Sequence, residues 1–272
     1  MPTEEPISVS AFNTLELEIN AGGIATVWLN RPEKNNAFNA EMIAELLRAL
    51  SEIQMNDELR FLILRGRGKH FSAGADLSWM QACAQLDYDA NLNDARELSK
   101  LMASLAQLKV PTLAVVQGAA FGGALGLISC CDIAIGTEDS LFSLSEVRIG
   151  LLPAVISPYV AQAIGPRAAR RYALTAERFD GKRAQQLGLL AEAYPAADLE
   201  SELHGWVANL LLNSPKAMRA TKALMQQVKH GDLTPDLRSY TESAIASIRV
   251  SKEGQEGLSA FLDKRKPQWL LT

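Results

Sequence analysis

The chain has 272 residues, 48% of them hydrophobic, which is enough to bury a large core near the upper size of one domain. Its 27 basic and 31 acidic side chains leave a formal charge of −4, so no general basic surface exists to neutralise a phosphate backbone, which argues against nucleic acid as a primary partner. Three cysteines, Cys83, Cys130 and Cys131, make an odd count and read as reduced thiols of a cytoplasmic protein.

The opening MPTEEPISVS carries acids and prolines where an export signal needs a positive start and an apolar run, so no export is expected. Thr14 to Ile19 and Ile24 to Asn30 are β-prone runs joined by Asn20-Ala21-Gly22-Gly23, which predicts a hairpin. Arg31-Pro32 ends the second strand. From Glu41 to Met55, Met42, Ile43, Leu46, Leu47, Leu50 and Ile53 recur at helical spacing, with Asn39 as the cap. Phe61 to Leu64 reads as a short buried strand, followed by a glycine-rich connection and a helix from near Asp76.

The pattern then recurs, with a helix from about Leu92 to Leu108, a strand Thr112 to Gln117, a glycine-rich loop, an apolar helix into Cys131 and a strand Asp132 to Gly136. The most apolar stretch, Leu113 to Ile135, is broken by Gly118, Gly122, Gly123, Gly126 and Asp132, which argues against a membrane span. Strands alternating with helices predict an α/β fold. Strand signals stop near Asp198, and Leu199–Leu212, Pro215–Val228, Asp236–Ile248 and Glu253–Asp263 read as helices. The division expected is a core of residues 1–197 and a helical segment of residues 198–272 that packs on a neighbouring subunit.

Two loops carry chemistry. The stretches His70 to Met80 and Gln117 to Ile135 lack the spacing of dinucleotide or nucleotide cradles. They do supply helix-start amides free of bulky side chains, which can stabilise an oxyanion; close helix packing is the other common use of such glycines. Glu146 follows, flanked by Leu144, Val147, Ile149, Leu151 and Leu152, surroundings that would desolvate a carboxylate and raise its pKa. From the residues alone, a surface glutamate beginning a short helix and paired with Arg148 is the more common outcome. His70, His204 and His230 are too dispersed to ligate a metal and read as surface residues, so no metal is expected.

The segments LNRPEKNNAFNAEM, HFSAGADLSWM, VQGAAFGGALGL, CDIAI, FSLSEVRIGLLP and FLDKRKPQW, in that order, resemble the enoyl-CoA hydratase and isomerase, or crotonase, superfamily. The resemblance implies a spiral of repeated ββα units with a C-terminal helical oligomerisation segment, assembly as trimers or hexamers, and an acyl-CoA thioester as substrate with no separate cofactor. It implies catalysis by Glu146 with an oxyanion hole from the amides of Ala73 and Gly123. Ala37, Phe38, Ser72, Ala75, Asp76 and Leu77 match positions lining a CoA channel, and Lys264 matches a basic residue that meets CoA phosphates.

Fatty-acid hydratases of this family carry a second glutamate where this chain has Gly126, which leaves a single-glutamate Δ3,Δ2-enoyl-CoA isomerase, or a non-catalytic CoA- or RNA-binding role, as alternatives. The stretch from Leu144 to Phe179 looks like bacterial methylglutaconyl-CoA and isohexenylglutaconyl-CoA hydratases, enzymes of leucine and acyclic terpene degradation. On that likeness Gly126 makes room for a branched or acidic acyl group, and Arg148 is its countercharge.

Overall fold

The computed structural model describes residues 8–228 and 233–270 of the protein. The first elements are β1 (Ser8–Ala11), β2 (Leu15–Ile19), β3 (Ile24–Leu29), α1 (Ala40–Met55), β4 (Phe61–Gly66), α2 (Leu77–Cys83) and α3 (Tyr88–Ala106). Next come β5 (Thr112–Val116), β6 (Ala119–Phe121), α4 (Gly123–Cys130), β7 (Ile133–Thr137), β8 (Leu141–Ser143), α5 (Ser157–Ile164) and α6 (Pro166–Thr175). The last are β9 (Phe179–Asp180), α7 (Gly181–Leu187), β10 (Glu192–Tyr194), α8 (Leu199–Leu211), α9 (Pro215–Val228), α10 (Pro235–Val250) and α11 (Lys252–Leu262). Among the described residues no helix is long and apolar enough to cross a membrane.

A seven-stranded sheet runs in the order β1-β2-β3-β4-β5-β7-β10. The hairpin expected from Asn20 to Gly23 forms, with β2 and β3 antiparallel and Leu15 opposite Leu29. From β3 onward every pairing is parallel. Parallel strands covered on both faces read as unbroken apolar runs, and β5 fits: Leu113, Ala114, Val115 and Val116 are each at most 1% exposed. Full burial of a leucine or valine side chain contributes about 1.5–3 kcal/mol.

The second β segment of each repeat lies in another layer. Phe38 bridges Ala75, Ser72 bridges Ala120, β6 pairs with β8, and β8 with β9. A strand of the large sheet, a short strand or bridge of the second layer and then a helix make the repeating unit, which is the α/β architecture expected. On α1, Asn39 accepts the Met42 amide at 2.9 Å, as a helix cap should. Glu45 shares the buried stripe with Met42, Leu46 and Ile53, which the apolar periodicity does not foretell.

The chain divides into two compact units, one running to Leu108 and from Thr112 to Glu202, the other made of Lys109–Pro111 and Leu203–Thr272. The boundary therefore falls inside α8 and not at residue 198. Within the first unit the opening turn of α8 is tied down by an Arg65–Glu200 ion pair. Within the second, buried Lys222 donates to the Val110 carbonyl at 2.9 Å, which brings Lys109–Pro111 into that unit. There Glu253 accepts from the Ser214 hydroxyl and the Lys216 amide, joining the starts of α9 and α11.

Candidate active site

The second layer carries Glu146 to the glycine loop. The parallel pairing Ala119↔Leu141, Ala120↔Phe142 and Phe121↔Ser143 is prolonged by Gly122, whose amide donates to the Ser143 carbonyl at 2.9 Å. Glu146 opens a 3-10 turn three residues beyond Ser143. Its Oε1 lies against Gly122, where a Cβ would stand 3.2 Å away. Its Oε2 is buried with no hydrogen-bond partner. Burial raises the Glu146 pKa, outweighing a backbone hydrogen bond that acts to lower it. The pairing with Arg148 does not form.

The apolar flank expected to desolvate this carboxyl is mostly not in the interior. Leu144 is buried, but Val147 and Ile149 on the short 3-10 turn and Leu151 and Leu152 just beyond it are all exposed. Glu146 Oε1 instead lies close to the backbone of Gly122, a segment distant in sequence. Gly122 adopts φ 54° and ψ −121°, a conformation that essentially only glycine takes. It precedes α4 without any side-chain cap, so the Gly123 amide stands at an open helix start where the dipole favours negative charge.

The first loop places its free amide elsewhere than expected. The Ala73 amide donates to the Asn35 carbonyl at 2.9 Å, so it is engaged within the loop and cannot serve as the oxyanion donor without breaking that bond. In the parallel bridge at Phe38, the partners are the Gly74 carbonyl, 2.7 Å from the Phe38 amide, and the Asp76 amide, 2.8 Å from the Phe38 carbonyl. A parallel ladder of this kind turns the intervening N–H of Ala75 away. No acceptor among the described residues takes it, and Ala75 is exposed. Gly74 rests on Phe121, and Gly123 on the Phe38 ring, so the two loops meet around Phe38. Ala75 was expected only to line a channel; the spacing of AGAD does not say which amide is spent on Asn35.

A model of the enoyl-CoA hydratase/isomerase family matches residues 19–270. The chain belongs to the enoyl-CoA hydratase/isomerase family. An enoyl-CoA hydratase from Shewanella pealeana has the same crotonase fold, with 48% identity, a TM-score of 0.91, and 95% of this chain and 96% of that one covered. The 2,3-dehydroadipyl-CoA hydratase of Escherichia coli is 30% identical over 89% of this chain and 92% of its own length. A peroxisomal Delta(3,5)-Delta(2,4)-dienoyl-CoA isomerase of Arabidopsis thaliana is 27% identical over 97% of this chain and 99% of its own. The protein is an enzyme of this crotonase family, in which relatives are named for hydration and for isomerisation.

Other residues expected at the crotonase site divide by their bonding. Phe38 and Ser72 are buried at the loop junction. Asp76 is structural: it caps α2 through the Ser78 and Trp79 amides and pairs with Arg31 at 3.0 Å. The same guanidinium donates to the carbonyl of Ala37 at 2.7 Å, so Arg31 fastens both. Leu77 is 76% exposed. Gly126 leaves no vacancy, because Ile156 fills it: a Cβ at 126 would overlap Ile156 Cγ2 and lie 3.0 Å from Met102 Sδ. The room for a larger acyl group expected there is not open.

Arg148 is exposed and donates to the Ala176 carbonyl at 3.0 Å. A second cation, Arg178, lies 5.3 Å from the centre of the Phe121 ring, next to Gly122; its distance in sequence hid it. Lys264 belongs to the C-terminal unit, just past α11, with φ 54°. His204 is exposed, His230 lies outside the described residues, and His70 is not a surface residue, since it is half-buried and bonded to backbone.

Proposed function

We propose that the protein hydrates 2-enoyl-CoA thioesters, with Glu146 as acid and base and the amides of Ala75 and Gly123 holding the thioester oxygen. The observation that carries this reading is the buried, unpartnered Oε2 of Glu146 beside Gly122, one residue before an open helix-start amide. Water adds to C3 as Glu146 takes its proton. The C2–C3 π pair moves toward the thioester, whose oxygen gains negative charge. As that charge returns, C2 takes the proton from Glu146. One water has been added and the glutamate is restored, so one carboxyl balances the protons and the scheme uses no separate cofactor. Each fixed donor at the charged oxygen lowers the barrier by about 3–4 kcal/mol. The raised proton affinity of Glu146 suits it to both transfers.

The filling of position 126 by Ile156 favours a second reading, Δ3,Δ2-enoyl-CoA isomerisation, because it leaves Glu146 without a carboxylate partner on α4. In that reaction Glu146 takes a proton from C2 and returns it at C4 through the same enolate. For the hydratase, the acyl group proposed is branched or acidic, of the methylglutaconyl or isohexenylglutaconyl type, with Arg148 facing its carboxylate. The name of the Escherichia coli relative, a dehydroadipyl-CoA hydratase, supports an acidic chain. The proposal also has Lys264 meeting CoA phosphates and the chain assembling as a trimer or hexamer, consistent with exposed Val250, Phe261 and Leu262.

Hydration of crotonyl-CoA and methylglutaconyl-CoA, and isomerisation of a 3-enoyl-CoA, are measured side by side for the wild type and Glu146→Gln. The expected result is hydration by the wild type and a loss of about 10²–10⁴-fold in the variant. Isomerisation without hydration selects the second reading, neither activity leaves a binding role, and activity indifferent to Glu146→Gln removes both reactions. A strong preference for crotonyl-CoA would remove the acyl assignment alone.

A further inference from the structure

His70 does something that the proton chemistry of Glu146 does not use. The loop after β4 and the β5–β6 connection run side by side: the Phe71 amide donates to Gln117 O at 2.8 Å, the Ser72 amide to Ala119 O at 3.0 Å, and the Phe121 amide to Ser72 O at 3.0 Å. In this ladder the buried amide of Ala119 has no carbonyl opposite it. His70 Nδ1 accepts it at 2.9 Å, so a side chain replaces the missing rung. Gly118, at φ 61°, makes this possible by lying almost on the ring. A Cβ there would overlap the Lys69 carbonyl and stand 2.6 Å from Nδ1. The other side of the His70 backbone is held by Asn36, whose Nδ2 donates to His70 O at 2.8 Å.

A backbone amide only donates, so Nδ1 must be the bare nitrogen of a neutral ring that carries its proton on Nε2. We propose that neutral His70 is a positioning residue that sets the register between the two donor loops, and that protonating it loosens them and lowers turnover. The inference rests on the proposed use of the Ala75 and Gly123 amides, which follow His70 and Ala119 by a few residues on the same two loops. Burial, and then the charge of Lys69, lower the His70 pKa, which keeps the ring neutral near neutral pH. The segments bonded to it contribute Asn36, Gln117, Gly118 and Ala119, none of which titrates. Because the folded-state pKa is lowered, the bond is present above the ordinary histidine pKa and is lost as pH falls through the folded value.

The test uses the full chain as wild type, His70→Asn and His70→Leu. The asparagine carbonyl oxygen replaces Nδ1 with an acceptor that does not protonate, whereas leucine fills the space without one. With crotonyl-CoA or the best substrate found, kcat and KM are followed from about pH 9 down to the acid limit of folding. Wild-type kcat should show two acid-side inflections, from Glu146 and from His70. The asparagine variant should keep near-wild-type kcat at high pH and only the Glu146 inflection. The leucine variant should lose about 10²-fold in kcat, the cost of misplacing catalytic groups by about 1 Å, with little change in KM. An unchanged acid limb in His70→Asn, or full turnover in His70→Leu, overturns the proposal.

An inactive wild type would overturn the proposed function, and thermal unfolding against pH then decides the role of His70. Wild-type midpoints should fall away from those of His70→Asn as the solution is acidified. Parallel curves overturn the inference. Should the leucine variant fail to fold, the asparagine variant carries both readouts.

Discussion

Replacing Gly126 with alanine sets two effects of known size against each other. In a helix such as α4, alanine is favoured over glycine by about 1 kcal/mol, so with free space the change would stabilise. Here the new Cβ would overlap Ile156 Cγ2, 2.9 Å from Ile156 Cβ and 3.0 Å from Met102 Sδ. The flexible thioether of Met102 can yield, but Ile156 Cβ is fixed to the backbone entering α5 and its branched side chain is stiff. Overpacking costs about 1–3 kcal/mol, and a neighbour that cannot rotate away puts this case in the upper half, leaving a net loss of about 1–2 kcal/mol after the helix gain. Ile156→Ala alone empties the space and should cost about 2–4 kcal/mol. In the double variant the alanine methyl refills part of that space, so the combined loss should fall short of the sum by about 1 kcal/mol or more. Urea unfolding of the three variants at one protein concentration measures all of this. A Gly126→Ala protein at least as stable as wild type, or strict additivity in the double variant, refutes the packing argument. Gly126→Glu by itself should then unfold the protein and not supply a second acid.

Burial raises the Glu146 pKa, so the charged form destabilises the fold, and this penalty is absent at low pH and grows as pH rises through the folded-state value. Glu146→Gln should therefore unfold at a higher temperature than wild type near neutral pH, with the two midpoints converging in acid; a variant less stable at neutral pH contradicts this. Glu45 behaves in the opposite sense: burial acts to raise its pKa, but bonds from Asn13 and Thr14 and the charge of Arg48 lower it overall. Its contribution is present above the ordinary carboxylate range and is lost as pH falls through the lowered value, and Glu45→Gln should cost about 2 kcal/mol near neutrality. Equal urea midpoints for that pair would show the bonds to be replaceable. Lys264→Ala should raise KM for CoA thioesters about two- to fivefold, the worth of one exposed ion pair, with kcat held. A fall in kcat at constant KM would remove its role with CoA.

Local chemistry made part of this protein legible in its sequence. The Asn20–Gly23 turn, the Asn39 cap, the apolar stripe of α1 and the helices of the C-terminal unit depend on short-range backbone geometry and on periodic burial, and both are written in neighbouring residues. The strands β6, β8, β9 and β10 are two or three residues long, too short to show a period, so their existence depends on pairing with distant segments. The site inherits that dependence. Glycine spacing marked both loops, yet which amides stay open was set by long-range partners: Asn35 takes Ala73, and Phe38 leaves Ala75 aside. Glu146 could be singled out from its segment, but its carboxyl lies against Gly122, while four of the five apolar residues beside it in the chain are exposed. By itself the sequence determined the β2–β3 hairpin, the longer apolar strands such as β4 and β5, helices such as α1 and α3, and the two glycine loops, and it marked Glu146 as a candidate, because these follow from local conformation and residue chemistry. Only the tertiary structure decided which donors are free and that Ile156 fills position 126, because hydrogen-bond satisfaction and packing are settled between residues far apart in the chain.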